Sequence, residues 1–346
     1  MMTDLILVVV AVLFLWGVKS RKNSTEDSLL SVEQTTALRG MAALGIVLHH
    51  LSYEVDGTVF PMLQRFGFLV VSLFFFWAGY GLRLSLRRNK TYLDGFIKKR
   101  LSKILLPFLI AGILYIVYHV LFTPGFSVKE LIPIQNGQPN LIVDNSWYVV
   151  ALLFFYVVFY FAYRCFQKWG DIPPLVAVFV CVVAYTVLLK YVLHWGSWWT
   201  NAAFTFFLGL LVGTFEKQCI LFLKKRYWLT LTGTALLFIV TTGLTVFKLG
   251  GNQTPLKIIF DWGACSFLCL LVAVFCYKYR IGNRSTTWLG GISYEIYLVH
   301  GLAIRIFTDV IPVPNDILLI VVVVALSTLL AYGFNLLNRK FLLKKI

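Results

Sequence analysis

Charge is scarce in this chain, and acidic charge scarcest of all. Of 346 residues only 13% are charged, and the acidic ones number 15 against 31 basic. An average soluble domain carries roughly 25%. With 59% hydrophobic residues and a mean hydropathy of +0.82, no single soluble core could hold the apolar material. The bilayer is the solvent these numbers require. The six cysteines form no CxxC pair and have no metal-type histidines near them, so no disulfide and no metal site is expected. Cys265 and Cys269 share a helix face and read as small core residues. The first apolar run, Leu5 to Val18, has no basic residues before it and no small-residue cleavage site after it. That argues against a signal peptide, and the run reads as an uncleaved span with its N-terminus outside. No connector is long enough to be a domain, and there is no internal repeat or low-complexity tract. Chemistry must therefore sit in the membrane or at its surfaces.

What is present is a succession of apolar runs of membrane-crossing length. They fall near 2–18, 35–52, 66–82, 104–122, 147–165, 173–193, 199–215, 227–247, 258–277, 288–308 and 316–338, several ending in interfacial Trp. Connectors after the odd-numbered spans carry the positive charge. They hold Lys19, Arg21 and Lys22; then Arg83 to Lys103; then Arg164 and Lys168; then Lys217, Lys224, Lys225 and Arg226; then Lys278, Arg280 and Arg284. The tail adds Arg339, Lys340, Lys344 and Lys345. The alternate connectors hold mainly Glu54, Asp56, Lys129, Glu130, Asp144, Lys248, Asp309 and Asp316. This bias sets those basic loops and the C-terminus in the cytoplasm. It accounts for the net charge of +16 without a nucleic-acid partner. The fold class expected is all-α, a polytopic transmembrane bundle of about ten core spans plus one N-terminal span. Residues 1–34 form the extra span and linker, 35–338 the membrane domain and 339–346 a basic tail. The loop Thr123–Ser146, with Pro124, Gly125, Pro133, Gly137 and Pro139, is expected to be irregular or a re-entrant cap.

Ionisable groups inside apolar helices are costly and by default suggest function. The second span begins with Arg39 and ends with His49 and His50. A spacing of eleven is three turns plus about 20° at 100° per residue, so Arg39 and His50 share one face. Their separation along the axis is about 16 Å at 1.5 Å per residue. His49 lies about 80° off that face. Gly40, Ala42, Ala43 and Gly45 keep the helix slim for close neighbours. Arg39 also reads as a positive-inside anchor, and the histidines as interfacial residues. A neutral imidazole can take a proton from a hydroxyl. An Arg three turns below can hold an anion arriving from the cytoplasm.

Arg39, Gly40 and Ala42, then His50 eleven positions after the Arg, resemble the first core helix of the acyltransferase-3 family of integral membrane acyltransferases. LVVSLFFFWAGYGL (69–82), YLDGFIKKRLSKILLPF (92–108), SWYVVALLFFY (146–156) and GGISYEIYLVHG (290–301) resemble further family segments, in family order. Ala78 stands where the family's SGY has Ser, Lys103 where a second Arg is common, Ser72 where many members have an acid, and Glu295 is an unusual acid. The resemblance implies acyl transfer, commonly acetyl, from cytoplasmic acyl-CoA to a hydroxyl of a glycan or lipid-linked sugar. No bound cofactor is implied; acyl-CoA is a co-substrate. Arg39, Arg87, Arg88, Arg100 and Lys103 are candidates for the donor's phosphates, although positive-inside bias alone accounts for most basic-loop charges. His50, or His49 in its place, would be general base or carry the acyl group covalently. Ser293, Glu295, Tyr297 and His300 are candidates to complete the site, or simply packing residues. Asp144, Asn145 and Trp147 could bind a sugar, or the first two could cap a helix. The rival reading is a transporter of a small anionic or sugar-like solute, against which stands the lack of internal symmetry. Oligomeric state is left open.

Overall fold

A computed structural model describes residues 2–21, 28–127, 134–135, 138–139, 141–247 and 254–342. Lys22, Lys129, Glu130, Pro133, Gly137, Lys248, Lys344 and Lys345 lie outside the described residues. The described chain is nearly all helix. In order come α1 (Met2–Leu15), α2 (Val32–Leu51), α3 (Gly67–Arg88), α4 (Phe96–Phe122), α5 (Trp147–Phe166) and α6 (Ile172–Val187). Then follow α7 (Phe204–Thr214), α8 (Glu216–Val246), α9 (Pro255–Lys278), α10 (Arg284–Gly291), α11 (Ser293–Arg305) and α12 (Asp316–Leu337). Two antiparallel pairs of two-residue strands are added: β1 (Lys19–Ser20) with β4 (Tyr279–Arg280), and β2 (Ile134–Gln135) with β3 (Gln138–Pro139). The second pair lies in the connector expected to be irregular.

Every expected span corresponds to helix, but among the described residues only seven helices are long and apolar enough to cross a bilayer by themselves. The exceptions have physical causes. The apolar helix Thr3–Leu15 is short. Arg39, His49 and His50 dilute α2, α7 has 11 residues, and the expected tenth span breaks at Ile292 into α10 and α11. Three of these exceptional helices are mostly buried, α7 with seven of its 11 residues among them. In α11 eleven of 13 residues are buried, and in α2 twelve of 20. By contrast the spanning stretch of α8 has no buried residue. Polar helices are thus wrapped by apolar ones. In α8 the helical geometry breaks at Arg226, where the expected basic connector meets the eighth span.

Glycine sets how closely the inner helices pack. A Cβ at Gly40 would lie 2.1 Å from the Thr286 carbonyl oxygen, and one at Gly290 would lie 1.8 Å from that of Thr36. The helices α2 and α10 therefore cross backbone to backbone. Gly79 and Gly209 do the same for α3 and α7 against Phe206 and Phe76. The slim face expected around Gly40 is the face that meets α10.

The bundle has two distinguishable ends. At the basic end Arg164 pairs with Asp94, Arg83 with Asp171 and Arg87 with Glu216, tying connectors together. At the far end the Asp4 carboxylate accepts from the amides of Val59 and Phe60, and Asp316 accepts from that of Asp56. The chain's two adjacent glycines in α10 offer a test of the packing. Gly290→Ala should destabilise by about 1–3 kcal/mol through overpacking. Gly291→Ala, with open space around it, should be neutral or slightly stabilising. Thermal unfolding of both variants in detergent measures the difference.

Candidate active site

Helix α2 carries the site because its period leaves it no choice. Ser31 starts the helix with a capping box, its hydroxyl accepting from the Gln34 amide, and from that fixed start Arg39 and His50 fall on one stripe. Arg39 lines two cavities. One is a vestibule of about 580 Å³ at the basic end, shared with Thr35, Tyr80, Arg87, Arg88, Glu216 and Lys217. The other is an inner chamber of about 220 Å³, shared with Arg100, Ala78, Tyr148, Tyr156, Ser293 and Tyr297. His50 lines a third cavity, about 360 Å³, at the far end, with Tyr53, Glu54, Asp144, Asn145, Arg305 and Asp309.

Chamber and far cavity share no lining residue, and a partition stands between them. The Tyr297 hydroxyl, from the chamber side, donates to the main-chain oxygen of Asn145, on the far side. Asn145 holds that oxygen in place with a left-handed backbone, φ 59°. Next to it His300, wholly buried, donates from Nδ1 to the Tyr297 carbonyl at 2.7 Å. A carbonyl cannot donate, so Nδ1 carries a proton, and Nε2 is buried without a hydrogen-bond partner among the described residues. The His50 and His300 rings are 5.0 Å apart between centroids.

Charge divides the two mouths. In the vestibule Glu216 is engaged by the Tyr80 hydroxyl, by the Leu29 amide at 2.9 Å and by Arg87 at 3.3 Å. Arg39 has no carboxylate partner among the described residues, and Arg88 and Lys217 add to the positive lining. At the far cavity three carboxylates, Glu54, Asp144 and Asp309, face one cation. That cation, Arg305, grips Asp144 with two bonds of 2.6 and 2.9 Å. Asp309 accepts from Tyr118 at 3.1 Å and Thr308 at 2.7 Å.

The candidates sort accordingly. Arg39, Arg87 and Arg88 meet in the vestibule, and Arg39, Arg100, Ser293 and Tyr297 in the chamber. His50, Asp144 and Asn145 meet in the far cavity. Arg100 is held by the Tyr92 hydroxyl, at 2.5 and 3.0 Å. His49 turns aside: its Nδ1 donates to the Leu63 carbonyl at 2.8 Å and its ring fills the space over Gly67. Glu295 faces α12, accepting from Asn335 at 2.7 Å and Asn338 at 3.4 Å. Lys103 is exposed and lies outside these three cavities. Trp147 packs on Trp199, centroids 6.3 Å apart, instead of lining the far cavity. Neither Asp144 nor Asn145 caps α5, whose N-cap is Ser146 without a side-chain bond. Sequence reading missed Arg305 and Glu216. A lone Arg in the outward half of a helix, against the charge bias, was the available signal for the first.

Polar helices wrapped by apolar ones, with cavities at both ends of the bundle, define the class: a polytopic membrane protein. The family pattern described as an acyltransferase domain matches residues 34–336, and the chain belongs to this acyltransferase-3 family. Comparison with curated proteins and with solved structures finds no significant match. A double-mutant cycle on Asp144→Asn and Arg305→Gln should give a coupling of about 1 kcal/mol, the upper range for a partly exposed pair. Thermal unfolding of the four forms measures it.

Proposed function

We propose that the protein is a membrane O-acyltransferase. It moves an acyl group, acetyl above others, from cytoplasmic acyl-CoA to a hydroxyl of a glycan or lipid-linked sugar on the opposite face. The observation that carries this reading is the position of one helix: α2 offers Arg39 to the vestibule and chamber and His50 to the far cavity. The orientation follows the charge bias, with the basic end and the C-terminus in the cytoplasm. In this reading the protein is a multi-pass protein of the cell membrane, with about ten core spans and one N-terminal span.

The phosphates of CoA would sit in the vestibule against Arg39, Arg87 and Arg88, where fixed cations offset several negative charges. The thioester would extend into the chamber, beside Arg100 and Tyr297. The acceptor would occupy the far cavity, where carboxylates and Arg305 can bond several sugar hydroxyls at once. His50 takes the hydroxyl proton as the acceptor oxygen attacks the thioester carbon. The oxygen–acyl bond forms, the carbon–sulfur bond breaks, and the CoA thiolate leaves and takes up a proton. Because the partition separates chamber from cavity, Tyr297 must yield for donor carbon and acceptor oxygen to meet. His300, with its proton held on Nδ1, presents an acceptor nitrogen beside His50 and stabilises the charge that develops there. Ala78 lines the chamber where relatives of the family motif have Ser, so no hydroxyl nucleophile stands at that position.

A carrier for a small anionic or sugar-like solute would use the same path, but family membership favours acyl transfer. In membrane preparations with radiolabelled acetyl-CoA, His50→Ala should lower the transfer rate by about 10²–10⁴ at unchanged expression. Rates equal to the unmodified protein would remove His50 from the reaction. Arg39→Ala should chiefly raise the KM for acetyl-CoA, and an unchanged KM would remove Arg39 from donor binding.

A further inference from the structure

A fourth cavity, about 680 Å³, lies at the basic end, away from the path just described. It is built where α1, which precedes the family-matched residues 34–336, meets the turn into α10. The junction is tightly made. Lys19 pairs in register with Arg280 across β1 and β4, and the Arg21 amide donates to the Lys278 carbonyl at 2.9 Å. The Asn283 side chain donates to the carbonyls of Leu13 and Trp16, at 2.9 and 3.1 Å, closing the last turn of α1. Gly17 and Gly282 turn the two segments with φ of 92° and 118°, a region that favours glycine. A Cβ on Gly17 would already touch the Gly282 carbonyl oxygen at 3.4 Å.

The lining has the two features of a phospholipid-headgroup site. The first is charge. Lys19, Arg280 and Arg284 face a single carboxylate, Glu33, and Arg280 takes that one. Lys19 and Arg284 have no acidic partner among the described residues, so the lining carries a formal surplus of two positive charges. The second is aromatic. Trp16 and Trp288 both line the cavity and are 71% and 48% exposed, although apolar side chains of that size are usually hidden in an aqueous setting. Trp belongs at the level of lipid headgroups, where its ring meets acyl chains and its N–H meets water. Below it α1 offers exposed Val12 and Leu15, and α12 exposed Leu336, as apolar surface. Charge bias alone would scatter cations over the loops. It does not set two unpaired ones in a crevice between two interfacial indoles.

We infer that this crevice binds the headgroup of an anionic phospholipid, its phosphate between Lys19 and Arg284 and its acyl chains descending along Trp16 and Trp288. A basic pocket between helices at the cytoplasmic face is the arrangement that recognises such headgroups. The lipid would then fasten α1 to the family core from outside. Nothing in this inference depends on acyl transfer, and its test needs no activity.

The full chain, purified in detergent and stripped of lipid, is titrated with phosphatidylglycerol, phosphatidylcholine or soluble glycerol phosphate while thermal unfolding is followed. Phosphatidylglycerol should raise the midpoint by several degrees and the other two should not. Lys19→Gln with Arg284→Gln should weaken the apparent affinity for phosphatidylglycerol roughly 30-fold, since each cation near an anionic headgroup contributes about a fivefold gain. Lys98→Gln with Lys99→Gln, the same charge loss at exposed positions of α4, should leave it unchanged. If the first double variant does not fold, a photoreactive phosphatidylglycerol on the unmodified chain should label peptides holding Trp16 or Trp288. The proposal is overturned by equal response to the two lipids, equal loss in both double variants, or labelling confined to other helices. Stabilisation by glycerol phosphate as strong as by the lipid also overturns it, because the site would then read phosphate without a chain.

Discussion

A polar group facing lipid has no water to bond, and that single restriction organises this protein. An Arg, three histidines and several tyrosines can exist at membrane depth only where other helices screen them. The helices that bear them, α2 and α11, are accordingly mostly buried, while α8 and α4 turn apolar side chains outward. Enclosure in turn demands close approach, and close approach demands glycine. Gly40 and Gly290 let α2 meet α10 at backbone distance, and Gly79 and Gly209 let α3 meet α7. The cavities are what such crossings leave over. Their polar lining follows from the residues that had to be hidden there.

The parts of this arrangement that depend on one helix were readable beforehand. Arg39 and His50 share a stripe because 3.6 residues make a turn, and no neighbour can alter that. Gly40 was readable for the same reason, as was the break near Arg226, where charge gives way to apolar sequence. Parts that depend on which helix faces which were not. Glu295 looked like a site residue, and it spends its carboxylate on Asn335 and Asn338. Trp147 looked like a sugar platform, yet it packs against Trp199 from a distant connector. Asp144 belongs to Arg305, 161 positions away, and no pattern in the chain links the two. Hydropathy counted eleven apolar runs, but a helix shielded by others need not be long or greasy, so only seven satisfy the stricter rule among the described residues.

The two mouths differ in sign, and this gives the bundle a direction. Cations with little to neutralise them gather at one end, and carboxylates outnumber cations in the cavity at the other. Any anion approaching the first mouth meets attraction, and the same anion would meet repulsion at the second. The family core and the added α1 use the same basic end differently. The core opens a vestibule there, and α1 closes a crevice beside it.

The partition made by Tyr297 and Asn145 bears on the membrane as much as on the reaction. Any protein that threads a hydrophilic route across a bilayer risks short-circuiting the ion gradients its cell maintains. Here the Tyr297 phenol, bonded to the Asn145 peptide oxygen, is part of the insulation. Part of the electric field across the membrane should consequently fall over this partition, so a proton moving on the imidazoles beside it would feel the voltage.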